Sequence, residues 1–144
     1  ALPNLEAMLG HTAPQVRNMA ASSIGKLDAA LSPSTIDKLL ILLDDTNDLV
    51  KLSAIETLGA SRSPRALEPL LQRLAKSRRG IQFAIVDSLV ELHDKSALPA
   101  LRQLHSDLAN ADMSEQPKGG SRGADLTPRQ LKAAVEGAIA DLGG

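Results

Sequence analysis

Cysteine, tryptophan and tyrosine are absent from this 144-residue chain, and Phe83 is its only aromatic residue. Without cysteine there can be no disulfide, no thiolate nucleophile and no thiolate metal site. A chromophore or flavin pocket would want aromatic walls, and one phenylalanine is too few. An excess of charge of either sign is also missing. The net charge is −1, so bulk electrostatics recruit neither nucleic acid nor an anionic membrane. No uninterrupted apolar run approaches the roughly 20 residues that a membrane span needs, and no signal peptide is visible. What the chain does have is a 43% apolar content carried mainly by alanine and leucine. That composition favours closely approaching helices over a β-sandwich, where β-branched and aromatic residues should abound.

Comparison of the sequence with itself organises the rest. The segment VRNMAASSIGKL (16–27) aligns with VKLSAIETLGAS (50–61), placing Val16 on Val50, Ala20 on Ala54, Ile24 on Leu58 and Gly25 on Gly59. IQFAIVDSLVEL (81–92) and LKAAVEGAIADL (131–142) continue the series through Ile81, Ile85 and Leu89, then Leu131, Val135 and Ile139. These are four copies of one helix, B. A second helix, A, precedes each copy: Leu2, Leu5 and Leu9 correspond to Ile36, Leu39 and Leu43, and to Leu67, Leu70 and Leu74. The fourth A copy keeps Leu98 and Leu101 but has His105 at the last place, with Leu104 and Leu108 as a neighbouring stripe. Spacings of three and four put each set on one helical face. Gly25 and Gly59 lie late in B helices, where glycine ends or loosens a helix. SPST (32–35) and SRSPRA (61–66) carry helix stop and start chemistry. The repeats are expected at about 2–28, 35–60, 64–93 and 95–142. A polar, glycine-rich insertion at 110–126 is read as a flexible loop.

The stretches APQVRNMAASSIGKL and NDLVKLSAIETLGASRSPRALEPLLQRL resemble HEAT repeats. They are most similar to the short-period bacterial type first noted in phycobilisome lyases, with a valine–basic pair, paired small residues and leucine–glycine. Val90 and Ala140 depart from the glycine in the later copies. The resemblance implies an all-α fold, a right-handed α-solenoid of about four helical hairpins, with A helices convex and B helices concave. It implies a scaffold or binding module more often than an enzyme. The start at Ala1-Leu2-Pro3, without methionine and inside helix A, is read as a processed chain or a piece of a longer one, with more repeats expected upstream.

Candidate catalytic groups are sparse. His11, His93 and His105 are the only histidines, and no two sit three or four residues apart. ELHD (91–94) supplies one His-Asp pair near a helix end, where HEAT-type di-iron enzymes need several His-Glu pairs. LLDD (42–45) reads as a polar turn rather than general acid–base machinery. No Gly-x-Ser-x-Gly elbow occurs, and GGSRG (119–123) lacks the ending of a phosphate loop. No catalytic residue, metal or cofactor is therefore expected.

Charge is segregated along the chain. Residues 28–56 carry Asp28, Asp37, Asp44, Asp45, Asp48 and Glu56 against Lys38 and Lys51, a net of −4. Residues 62–79 carry Arg62, Arg65, Arg73, Lys76, Arg78 and Arg79 against Glu68, a net of +5. Arg73, Lys76, Arg78 and Arg79 form a basic cluster that steers an acidic partner or, as an alternative, contacts nucleic acid. If the B-helix valine and its register mates face inward, the position two residues later faces out. It holds Asn18, Leu52, Phe83 and Ala133. Arg17, Lys51 and Gln82, and then Ser22, Glu56 and Asp87, are expected to ring it. An apolar centre with a charged rim is the pattern of a protein-binding surface. The expected function is non-enzymatic binding or scaffolding of another protein on this face. A bilin-lyase-like or other enzyme component is the alternative. A cytoplasmic monomer, or a weakly self-associating chain, completes the expectation.

Overall fold

A computed structural model of the chain describes residues 2–27, 30–111 and 126–143. Asp28 and residues 112–125, most of the expected insertion, lie outside the described residues. All regular structure among the described residues is helical: α1 (Leu2–Met8), α2 (Pro14–Gly25), α3 (Pro33–Ile41), α4 (Asp48–Ser61), α5 (Leu67–Leu74), α6 (Arg79–Leu92), α7 (Leu98–Ala109) and α8 (Pro128–Asp141). Short 3-10 turns at 42–44, 64–66 and 95–97 extend or precede the A helices. None of these helices is long and apolar enough to cross a membrane.

Local chemistry starts the helices where the polar breaks lie. Pro14, Pro33 and Pro128 occupy the first position of their helices, where the missing N–H has no intrahelical partner to lose. Ser32 accepts from the Thr35 N–H, and the Asn47 side chain accepts from Leu49 and Val50. Thr127 and Gln130 form a reciprocal capping box at α8. The ends of α4 and α6 are set by Arg62 and His93, which take the left-handed conformation at φ 55° and 53°. Asp94 accepts from the Ser96 N–H and hydroxyl, so the His-Asp pair of ELHD serves as a helix end and a turn.

The helices pair as α1/α2, α3/α4, α5/α6 and α7/α8, and α2, α4, α6 and α8 stack on one another in that order. The leucine and alanine ridges form one continuous core. Ala20, Ile24, Leu39, Val50, Ala54, Leu58, Leu70, Ile85, Leu89, Leu101, Leu131 and Val135 are all essentially inaccessible to solvent. In α7 the buried stripe runs through Leu98, Leu101, Leu104 and Leu108, while His105 turns outward to Glu136 of α8 at 3.0 Å.

Gly25 is the last residue of α2, as its position suggests, but Gly59 is placed differently. Gly59 lies inside α4, two residues before the end, and does not terminate it. A Cβ added there would meet the Ser88 Oγ, Cβ and Cα at 2.6, 2.7 and 2.8 Å. A Cβ at Gly25 would meet the Thr57 Oγ1 at 2.6 Å, with the Thr57 backbone farther away at 3.6 Å. These two glycines let the next B helix approach closely. The hydroxyls they admit then donate across the contact, Thr57 to the Ala21 carbonyl at 2.8 Å and Ser88 to the Ile55 carbonyl at 2.9 Å. Both bonds are buried, and each contributes about 1 kcal/mol. The next contact lacks the device: Val90 stands at the glycine register, and Ala138 stands where Thr57 and Ser88 do.

Replacing Gly59 by alanine should lower stability by about 1–2 kcal/mol. Overpacking against the Ser88 backbone outweighs the roughly 1 kcal/mol gain in helix propensity. Gly25→Ala should cost less, because the Thr57 side chain can rotate. Gly137→Ala, where no atom lies within 4 Å of the new Cβ, should stabilise by about 0.5–1 kcal/mol. Urea unfolding of the three variants tests this order.

Candidate partner-binding groove

The stacking of α2, α4 and α6 leaves an open groove of about 540 Å³ along their shared face. Its lining includes Asn18 and Ser22 of α2, Leu49, Leu52, Ser53 and Glu56 of α4, and Phe83, Asp87 and Glu91 of α6. Phe83 is 37% exposed and Leu49 58% exposed, whereas Leu52 is half-buried against the core. The outward register of the B helices thus comes together as one surface: Asn18, Leu52 and Phe83 along one row, and Ser22, Glu56 and Asp87 along the next. Ser53 donates to the Asn18 side chain across α2 and α4, holding the first row in line. Ala133 is exposed on α8 and is not part of the groove lining.

The expected ring of Arg17, Lys51 and Gln82 is corrected. Each residue in an α-helix is turned by about 100° from its neighbour, so the residue before the groove position faces the A–B turn. Arg17 donates to the carbonyls of His11 and Thr12 at 2.8 and 2.9 Å, and binds both oxygens of Asp45 at 2.7 and 3.0 Å. Gln82 is buried, and its amide donates to the Leu74 carbonyl at 2.9 Å. Lys51 lies 3.9 Å from Asp48 and lines a smaller cavity, about 220 Å³, with Asp44, Arg73 and Lys76. None of the three lines the groove.

The basic cluster is corrected in the same way. Arg73 holds Asp44 through two bonds at 2.9 and 2.7 Å, and also donates to the Pro69 carbonyl at 2.8 Å. Arg78 pairs with Asp48, and Arg65 with Asp37. Arg79 donates to the Leu126 carbonyl at 2.6 Å. Lys76 is exposed. The acidic second hairpin and the basic third hairpin therefore neutralise each other across their contact. One contact earlier, Glu6 accepts from the Thr35 hydroxyl and lies 3.5 Å from Lys38. The hydrogen bond from Thr35 holds the Glu6 carboxyl below its usual range.

Sequence reading missed Leu49, Ser53, Gly80, Ala84, Ser88, Glu91 and Leu126 in the lining. Leu49 and Gly80 sit three residues before Leu52 and Phe83, and Glu91 four residues after Asp87. Carrying the outward stripe one turn further in each direction would have found them.

These stacked hairpins have a counterpart among known families. The model for HEAT repeats matches residues 1–58 and again residues 36–112. The chain belongs to the HEAT-repeat family. HEAT repeats generally mediate protein–protein interaction or scaffolding and are typically non-catalytic. Comparison with curated proteins gives no match.

The Arg17–Asp45 pair gives a test of how the HEAT hairpins are joined. Its side chains keep only 15% and 7% exposure. The hydrogen bonds from Arg17 hold the Asp45 carboxyl below its usual range. A depressed carboxylate stabilises the fold above its unfolded value of about 3.9, and that stability is lost as pH falls through the folded value. Arg17→Gln should therefore lower the melting temperature at neutral pH. The gap from wild type should narrow below pH about 4. A gap of constant size down to acid pH would show that the ion pair is not its cause.

Proposed function

We propose that this HEAT-repeat chain is a non-enzymatic binding module that holds a protein partner in the groove of α2, α4 and α6. The observation that carries this reading is the position of Phe83. The chain's only aromatic side chain stands at the open groove rather than in the leucine core. Covering the exposed parts of Phe83 and Leu49 is worth about 2 kcal/mol each by area. That is enough to make them anchors of a modest interface. The half-buried Leu52 shapes the floor between them.

The nucleic-acid reading has less support. Phosphate contacts need arginines that are free to meet the backbone. Arg65, Arg73 and Arg78 are instead committed to Asp37, Asp44 and Asp48. The same commitment leaves little of the acidic-to-basic gradient for steering a partner.

Affinity capture with the wild-type chain and a Phe83→Ser variant tests the reading. The partner held by wild type should be lost by the variant while its helical circular dichroism is unchanged. Equal retention by both chains would contradict it.

A further inference from the structure

Acidic side chains in the described part of this protein fall into two groups. One group is spent on the fold. Glu6, Asp37, Asp44, Asp45 and Asp48 each bond a residue of a neighbouring hairpin. Asp94, Asp107 and Glu136 bond closer neighbours or the packed partner helix. The other group includes Glu56, Asp87 and Glu91. All three are exposed, and none has an ion pair or hydrogen bond among the described residues. All three line the groove, and among the described residues its lining contains no lysine or arginine.

Their placement is regular. Glu56 and Asp87 hold the same register on the adjacent helices α4 and α6, roughly 8–10 Å apart in axis. Glu91 follows Asp87 by four residues, one turn along the same helix. The carboxylates form an L-shaped rim beside an apolar floor made by Leu49, Leu52 and Phe83. Like charges four residues apart on a helix repel one another, and no lysine or arginine among the described lining residues offsets them. A cationic occupant would remove that repulsion and gain three complementary contacts.

We infer that the groove selects a basic, amphipathic segment of its protein partner, with an apolar side chain seated between Leu52 and Phe83 and lysines or arginines against Glu56, Asp87 and Glu91. The inference rests on the groove being the partner site and adds the chemistry of the occupant. An acidic segment or a nucleic acid meets the wrong charge here. A second copy of this chain would have to bring a free basic stripe, and Arg65, Arg73, Arg78 and Arg79 of the basic segment are already bonded, which leaves only Arg62 and Lys76 there.

The test is selection from a random-peptide display library on the immobilised whole chain. It is run in parallel on wild type, on Glu56→Gln/Asp87→Asn/Glu91→Gln, and on Phe83→Ser. The expected result is enrichment on wild type of peptides that join lysine or arginine to a leucine, methionine or phenylalanine. Such peptides should bind the triple carboxamide variant about tenfold or more weakly. They should also lose affinity as salt rises from about 0.05 M to about 0.5 M. Neutral or acidic peptides that still depend on Phe83 would overturn the charge assignment and leave the groove as the binding site. Enrichment indifferent to Phe83, or no enrichment, would overturn both. Concentration-dependent dimers in sedimentation, lost in Phe83→Ser, would assign the groove to a second copy and overturn the cationic occupant. The substituted carboxylates are exposed, so unchanged helical circular dichroism separates a lost charge from a lost fold.

Discussion

The distance between successive B helices governs this molecule. Gly25 and Gly59 remove the Cβ atoms that would keep α2, α4 and α6 apart, and Thr57 and Ser88 fill the space with hydroxyls that bond the facing carbonyls. A side chain that both fits the gap and bonds across it specifies one register, not merely proximity. Equivalent positions are then brought level from helix to helix, and a row such as Asn18, Leu52 and Phe83 becomes a surface. Without that alignment the same residues would be scattered exposed side chains with no common floor.

Charge reinforces the order of the hairpins. Arg17 reaches Asp45, Asp37 meets Arg65, and Asp44 meets Arg73, over separations of 28, 28 and 29 residues. Each is a little under one repeat, so each pair ties one hairpin to the next. The more exposed pairs, Asp37 with Arg65 and Asp44 with Arg73, contribute little stability singly. Their consequence is that the segregated charge of the sequence is largely consumed inside the stack. Carboxylates that remain unbonded, as along the groove, are what a partner would meet.

The core was legible because burial in a helix writes itself as a period. Most of the leucine and alanine ridges of the B copies, and of the A helices before them, are where spacing put them, although Leu2, Leu5 and Ile139 are only partly buried and Val16 lies outside the core. The outward row at Leu52 and Phe83 was legible for the same reason. So was one side of the rim, Ser22, Glu56 and Asp87, but the other side was not. Arg17 and Gln82 differ from the groove row by one residue, and one residue is a rotation large enough to send a side chain into the A–B turn instead. Gly25 does stand at the end of α2, as a late glycine usually does, but Gly59 lies inside α4, where Arg62 takes the left-handed cap instead. Thr57 and Ser88 could not be singled out, since a bond to a neighbouring helix's carbonyl leaves no trace in periodicity. The charge pairing did leave a trace, in separations close to the repeat length.

A HEAT stack that aligns its rows and leaves one of them uncovered is the central claim, and the lone phenylalanine makes it directly measurable. Fluorine-labelled phenylalanine incorporated into the chain reports on position 83 alone. In the free protein its single fluorine resonance should shift between light and heavy water and broaden with a soluble paramagnetic probe, as a side chain at an open groove must. A resonance indifferent to both would place Phe83 in the interior and contradict the account.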